Sequence, residues 1–174
     1  MNLKVIRRLL FILLTFICFA SATAREPERG YRGFVDANAD LSFYHDYYYD
    51  SSVVTYYGIS TSHGCQFNSH LFLGVGVMSE HIHDGYRSFN GFPVYLHART
   101  DWRFGRFPVY GDVRIGGVIF GEYRLYLSPT VGYRLSLGRK CNLNFGIGMN
   151  FRGYGWSDTK TLHPQLAFRF GIDF

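Results

Sequence analysis

Apolar and polar positions alternate with period two through most of the chain, as a strand with two unlike faces demands. In the last thirteen residues, Leu162, Leu166, Phe168, Phe170, Ile172 and Phe174 fall on one side and His163, Gln165, Arg169 and Asp173 on the other. Two upstream segments repeat the pattern: Leu125, Leu127, Val131, Tyr133 and Leu135 against Tyr126, Ser128, Thr130, Gly132 and Arg134, then Leu143, Phe145, Ile147, Met149 and Phe151 against Asn144, Gly146, Gly148, Asn150 and Arg152. The same reading predicts eight strands, at 31–45, 53–66, 71–80, 92–103, 108–119, 123–137, 142–154 and 162–174. Helical periodicity of comparable quality is missing after residue 24.

The connections differ in length in a regular way. Those near Asn68–His70, Gly105–Arg106 and Gly138–Lys140 span two or three residues, whereas those near Asp46–Ser52, His81–Gly91 and Gly155–Thr161 are longer and polar. Gly121–Glu122 breaks the rule as a tight turn on the long-loop side. Eight strands with short turns at one end and longer loops at the other predict an all-β, eight-stranded antiparallel up-and-down barrel. Closing Phe104 and Phe107 around a two-residue turn sets Arg99 opposite Asp112 on the polar face, which predicts a cross-strand ion pair.

Alternation does not say which face is inside. A secreted lipocalin-like barrel would turn the apolar face inward around a ligand. The polar face argues for the opposite arrangement, because it mixes Gly, Ser and Asn with charges of both signs. Asp36, Asp40, Asp101 and Asp112 share it with Arg99, Arg114, Arg134 and Arg169, a composition suited to a narrow interior filled by ion pairs. Aromatic residues gather at strand ends, Phe67, Trp102, Phe107 and Phe174 at one and Tyr57, Phe92, Tyr123, Phe151 and Trp156 at the other, as membrane-interface girdles would. The expected fold is therefore a transmembrane β-barrel with a plugged lumen, not an open pore.

At the amino terminus, Lys4, Arg7 and Arg8 precede an apolar run from Leu9 to Ala20 and an Ala22-Thr23-Ala24 site, the pattern of a cleavable secretory signal peptide over 1–24 followed by a barrel domain over 25–174. The run is shorter than the roughly 20 residues of a spanning helix. Cys18 follows Phe16 and Ile17, not the small residues of a lipidation site. Removing the segment lowers the formal charge of +5 to about +2, so the basic balance belongs largely to targeting, and nucleic acid is not an expected partner.

From residue 31 onward the chain resembles the small eight-stranded outer-membrane barrels of Gram-negative bacteria, of the OmpX and OmpA-domain type. The resemblance rests on the eight alternating strands, the short turns at one end, the signal segment and the aromatic terminus. It implies residence in the outer membrane, contact with outer-membrane lipid and lipopolysaccharide, and assembly by the machinery that reads a terminal aromatic strand, here through Phe170, Ile172 and Phe174. Gly171 lies inside that terminal apolar triplet, a departure from the usual signal. A peptidoglycan-tethering domain after the barrel is accordingly not expected.

Candidate chemistry is sparse. Ser62 and His63 are successive strand residues on opposite faces, which prevents a nucleophile–base contact. Glu80-His81-Ile82-His83-Asp84, with His45 or Asp46 as a third ligand, has metal-binding residue types, but a hydrated outer loop explains them more simply. Cys65 and Cys141 lie on strands three apart around the barrel, too distant for a disulfide. No cofactor motif occurs. The expected function is structural or surface-binding and adhesin-like, not enzymatic, with an extracellular ligand taken by loops that carry Tyr47, Tyr48, Tyr49 and Tyr86. A lipid-modifying enzyme and a small-ligand conduit are the alternatives.

Overall fold

In the computed structural model, the described residues are 29–44, 52–83, 88–104, 107–120, 125–137, 141–153 and 162–174. They form β1 (Gly30–Tyr44), β2 (Ser52–Gln66), β3 (Leu71–His83), β4 (Ser88–Gly91), β5 (Pro93–Phe104), β6 (Phe107–Val118), β7 (Leu125–Ser136), β8 (Asn142–Gly153) and β9 (Leu162–Asp173). Every neighbouring pair is antiparallel, and β2 pairs with both β1 and β3, so the sheet closes without an edge.

β4 and β5 are two parts of one barrel strand, which makes eight around the wall. Both pair with β3 in a single continuous register, from Ser88 against His83 to Thr100 against Leu71. The interruption falls at Phe92, ahead of Pro93, whose ring removes a backbone donor. Phe92 bonds instead across to the residues just after β6, its N–H to the Phe120 carbonyl at 3.0 Å and its carbonyl to the Ile119 N–H at 3.2 Å.

The eight expected strands are thus present, with one change at the outer end. The expected loop over 81–91 is mostly a paired hairpin, because β3 runs on to His83 and β4 begins at Ser88. The first of the short turns is built locally. There, the Asn68 carboxamide oxygen accepts from the backbone N–H groups of His70 and Leu71, both at 2.8 Å, and the Phe67 N–H reaches the Leu71 carbonyl. Tyr47, Tyr48, Tyr49, Tyr86, Tyr123 and Trp156 lie outside the described residues, as do the signal segment and the turn at Gly121–Glu122.

The faces sort as an inside-out protein. Outward residues include Val75, Ile147, Phe168, Phe170 and Ile172, all exposed, while inward ones include Arg99, Asp112 and Arg114, each no more than 3 % exposed. Leu135 is an exception: its place in the alternation is outward, yet it is covered. Since apolar burial stabilises a protein in water, a barrel that exposes its Leu, Ile and Phe side chains and hides its arginines has the wrong surface for water and the right one for lipid.

Candidate functional site

The described chain concentrates its chemistry in the lumen, where the buried charges are six arginines (Arg32, Arg99, Arg114, Arg134, Arg152, Arg169) and six carboxylates (Asp36, Asp40, Glu80, Asp101, Asp112, Asp173). Isolated ions would be prohibitively costly here, so geometry has to pair them. They lie in three levels.

Nearest the short turns, Arg32 on β1 reaches Asp173 at 2.5 Å and, from Nη1, Asp101 at 2.6 Å and the Gln66 side-chain oxygen at 2.8 Å. Asp101 also receives Arg99 at 3.0 Å and Arg134 at 3.4 Å. The Arg99 guanidinium lies 3.7 Å from the centre of the Tyr110 ring and donates to Asn144 at 2.8 Å. At mid-height, Arg114 on β6 crosses the lumen to Asp36 on β1 at 2.5 Å and donates to Ser60 at 2.9 Å. Arg169 on β9 meets Asp112 on β6 at 2.6 Å and donates to Ser128 and Asn38. His97 sits edge-on to Phe34 and Phe72, its Nε2 3.7 Å from Asp112, beyond hydrogen-bond reach. Toward the long-loop end, one nitrogen of Arg152 donates to both Asp40 at 2.7 Å and Glu80 at 2.8 Å, with its guanidinium 4.0 Å from the Tyr56 ring centre.

All eight charged residues proposed from the sequence face this interior, but the pairing differs in one respect. Arg99 and Asp112 are register partners, as the turn length requires. Their expected ion pair is not among those formed: Arg99 turns to Asp101, two residues along its own strand, and Asp112 takes Arg169. A guanidinium ends several bonds from its Cβ, so backbone register does not fix its partner. Arg32, Glu80, Arg152 and Asp173 belong to the network as well. Arg152 and Asp173 were already on the polar side of the alternation; Glu80 was obscured by its place beside two histidines.

Glycines fit the ring-filled interior. A Cβ at Gly132 would stand 2.4 Å from the Tyr110 ring and closer still to the Phe145 carbonyl, and one at Gly76 would strike Tyr95. Gly132→Ser is therefore not a mild lumen change; it is expected to cost about 1 to 3 kcal/mol by overpacking, read as a lower urea midpoint for the detergent-folded protein.

Other candidates disperse. Ser62 points inward, 3.1 Å from the Tyr95 hydroxyl, while His63 points outward between Tyr31 at 2.6 Å and Thr61 at 2.9 Å. His81 and His83 also point outward, bonded to Asn90 and Ser88, and no metal-holding group of three or more His, Cys, Asp or Glu side chains forms among the described residues. Asp84, His45 and Asp46 lie outside those residues. Cys65 and Cys141 are free, Cys65 on β2 and Cys141 immediately before β8, and those two strands are three apart in the sheet order. Phe170, Ile172 and Phe174 lie on the outer surface, and the Phe174 backbone pairs with Gly33 through two hydrogen bonds of 2.9 and 3.0 Å. An outward groove of about 700 Å³, lined by Trp102, Phe104, Val131, Phe145 and Ile147, offers apolar surface and no reactive side chain.

No protein-family model matches the chain, and no curated protein matches it. Its fold is nevertheless that of a known barrel. The crystal structure of Neisserial surface protein A (NspA) superposes with a TM-score of 0.57 over 84 % of this chain and 98 % of that one, at 14 % sequence identity. What the two share at that identity is the eight-stranded barrel.

Proposed function

We propose that the chain is a non-enzymatic, integral outer-membrane barrel with a structural or surface-binding, adhesin-like role. The observation that carries this reading is the inverted distribution of side chains, an apolar belt outside a closed sheet and a charge-paired interior. Only a hydrocarbon surround makes both halves of that distribution favourable, because a closed barrel satisfies its backbone internally and leaves nothing polar for lipid to solvate.

Under this reading the outer surface contacts phospholipid and lipopolysaccharide, and the terminal strand carrying Phe170, Ile172 and Phe174 is the part presented to the assembly machinery. The name of the similar barrel, a surface protein, is compatible with a role exercised through the outer connections. The lumen supports a plug over a conduit. Arg99, Arg114, Arg152, Tyr95, Tyr110 and Tyr126 are its largest fully buried side chains, and arginines tie opposite walls. An eight-stranded barrel has room for little more.

The test is fractionation of cells making the full-length chain. The mature protein is expected in the outer membrane, resistant to carbonate extraction, and to run faster on gels when unboiled because the closed barrel stays folded. Recovery as a soluble periplasmic monomer would overturn the reading. In planar bilayers the folded protein is expected to give no steady unitary conductance, whereas reproducible single-channel steps would make it a conduit.

A further inference from the structure

Among the described residues, the buried lumen charges balance in number but not along the axis. At the short-turn end three arginines (Arg32, Arg99, Arg134) face two carboxylates (Asp101, Asp173), and at mid-height Arg114 and Arg169 match Asp36 and Asp112. At the long-loop end, among the described buried residues, Arg152 alone faces both Asp40 and Glu80. One guanidinium nitrogen serves both carboxylates, which holds them close together with a local excess of negative charge.

That end also contains oxygens whose bonding capacity is unused. Asp40 spends Oδ2 on Arg152 and on the Asn150 amide N–H at 2.6 Å, and Glu80 spends Oε2 on Arg152. Asp40 Oδ1, Glu80 Oε1 and Asn150 Oδ1 are buried without a hydrogen-bond partner. So are both amide atoms of Gln165, a residue 2 % exposed. Gln165 is the register partner of Asn150, both facing the lumen, and the Asn150 amide already touches Asp40. Buried carboxamides and carboxylates left unpaired are costly and rare in folded proteins. Here the spare groups on β1, β8 and β9 include three acceptor oxygens, Asp40 Oδ1, Asn150 Oδ1 and Gln165 Oε1, together with the Gln165 amide nitrogen as a donor, with the Glu80 oxygen across from them.

We propose that the outer third of the lumen is a binding site for a hard divalent cation of the calcium class, ligated by side-chain oxygens of Asp40, Asn150 and Gln165 with Glu80 supplying charge from the opposite wall. Carboxylate and carboxamide oxygens are the ligands calcium prefers, and its tolerance of irregular geometry, with water completing the shell, suits residues drawn from separate strands better than the strict octahedron of magnesium does. Because Arg152 offsets part of the carboxylate charge, the site belongs at the weak end of the calcium range, about 10⁻⁴ to 10⁻³ M, as in extracellular modules. A cation there would join β1, β8 and β9 at the mouth, just below the outer connections.

The experiment uses the full mature barrel folded in detergent micelles, with terbium as a luminescent probe sensitised by nearby tyrosines and calcium as competitor. Wild type is expected to show a terbium signal that calcium displaces. Gln165→Leu should weaken calcium binding by about tenfold or more and Gln165→Glu should tighten it by a similar factor, since ligand charge sets affinity in such sites. Unboiled gel mobility checks that each variant is folded, and if Gln165→Leu fails to fold, the direction of the Gln165→Glu change decides. Absence of a calcium-displaceable signal in wild type, or an affinity that Gln165→Glu leaves unchanged, would overturn the proposal and assign any binding to the loops.

Discussion

Replacing Asp112 by Ala is expected to destabilise the barrel by about 3 to 5 kcal/mol, less whatever water in the lumen recovers. Asp112 is 3 % exposed, and its Oδ1 accepts from Arg169 Nη1 at 2.6 Å. Without it, Arg169 keeps its neutral acceptors Ser128 and Asn38 but loses the one carboxylate that contacts it among the described residues, leaving a cation stranded inside the sheet. Urea unfolding of the detergent-folded protein measures the loss. A double-mutant cycle then tests the pairing: Asp112→Ala with Arg169→Ala should show a coupling of about 0.5 to 3 kcal/mol. Asp112→Ala with Arg99→Ala should couple less, because Arg99 bonds Asp101 and Asn144 instead. A larger coupling to Arg99 would mean that register, and not the cross-lumen contact, governs the pairing.

That contrast also shows how far the sequence carries the structure. Strand positions and facing are legible because they depend on the period of the backbone, and a one-residue slip would invert the whole sheet. Arg99 and Asp112 are opposite for that reason. The network is less legible because its bonds depend on side-chain tips: Arg169 reaches from β9 to β6 and Arg152 from β8 to β3, contacts between strands that share no ladder. Glu80 shows a further difficulty. Read within Glu80-His81-Ile82-His83-Asp84 it belongs to a loop motif, but continuation of β3 to His83 turns Glu80 inward and both histidines outward. A surface-binding role is harder to read still, since it would reside in connections that the barrel's alternation does not specify.

Arginine substitution on the outer wall separates a lipid surround from an aqueous one. Ile147 lies midway along β8, points outward and is 49 % exposed, while Leu137, just past the end of β7, is similarly exposed at 53 %. In a bilayer the cost of arginine depends on depth: Ile147→Arg is expected to destabilise the folded barrel by about 2 to 4 kcal/mol, and Leu137→Arg by about 0 to 1 kcal/mol because its side chain can reach the headgroups. In water the two positions would be nearly equivalent, each within about 0.5 kcal/mol of wild type, as exposed substitutions usually are. Unfolding titrations in phospholipid vesicles measure the difference. Covered Leu135 would be a poor probe, since any arginine there also disturbs packing. Equal, small effects at 147 and 137 would mean that the apolar belt does not face hydrocarbon, and the membrane assignment would fall with it.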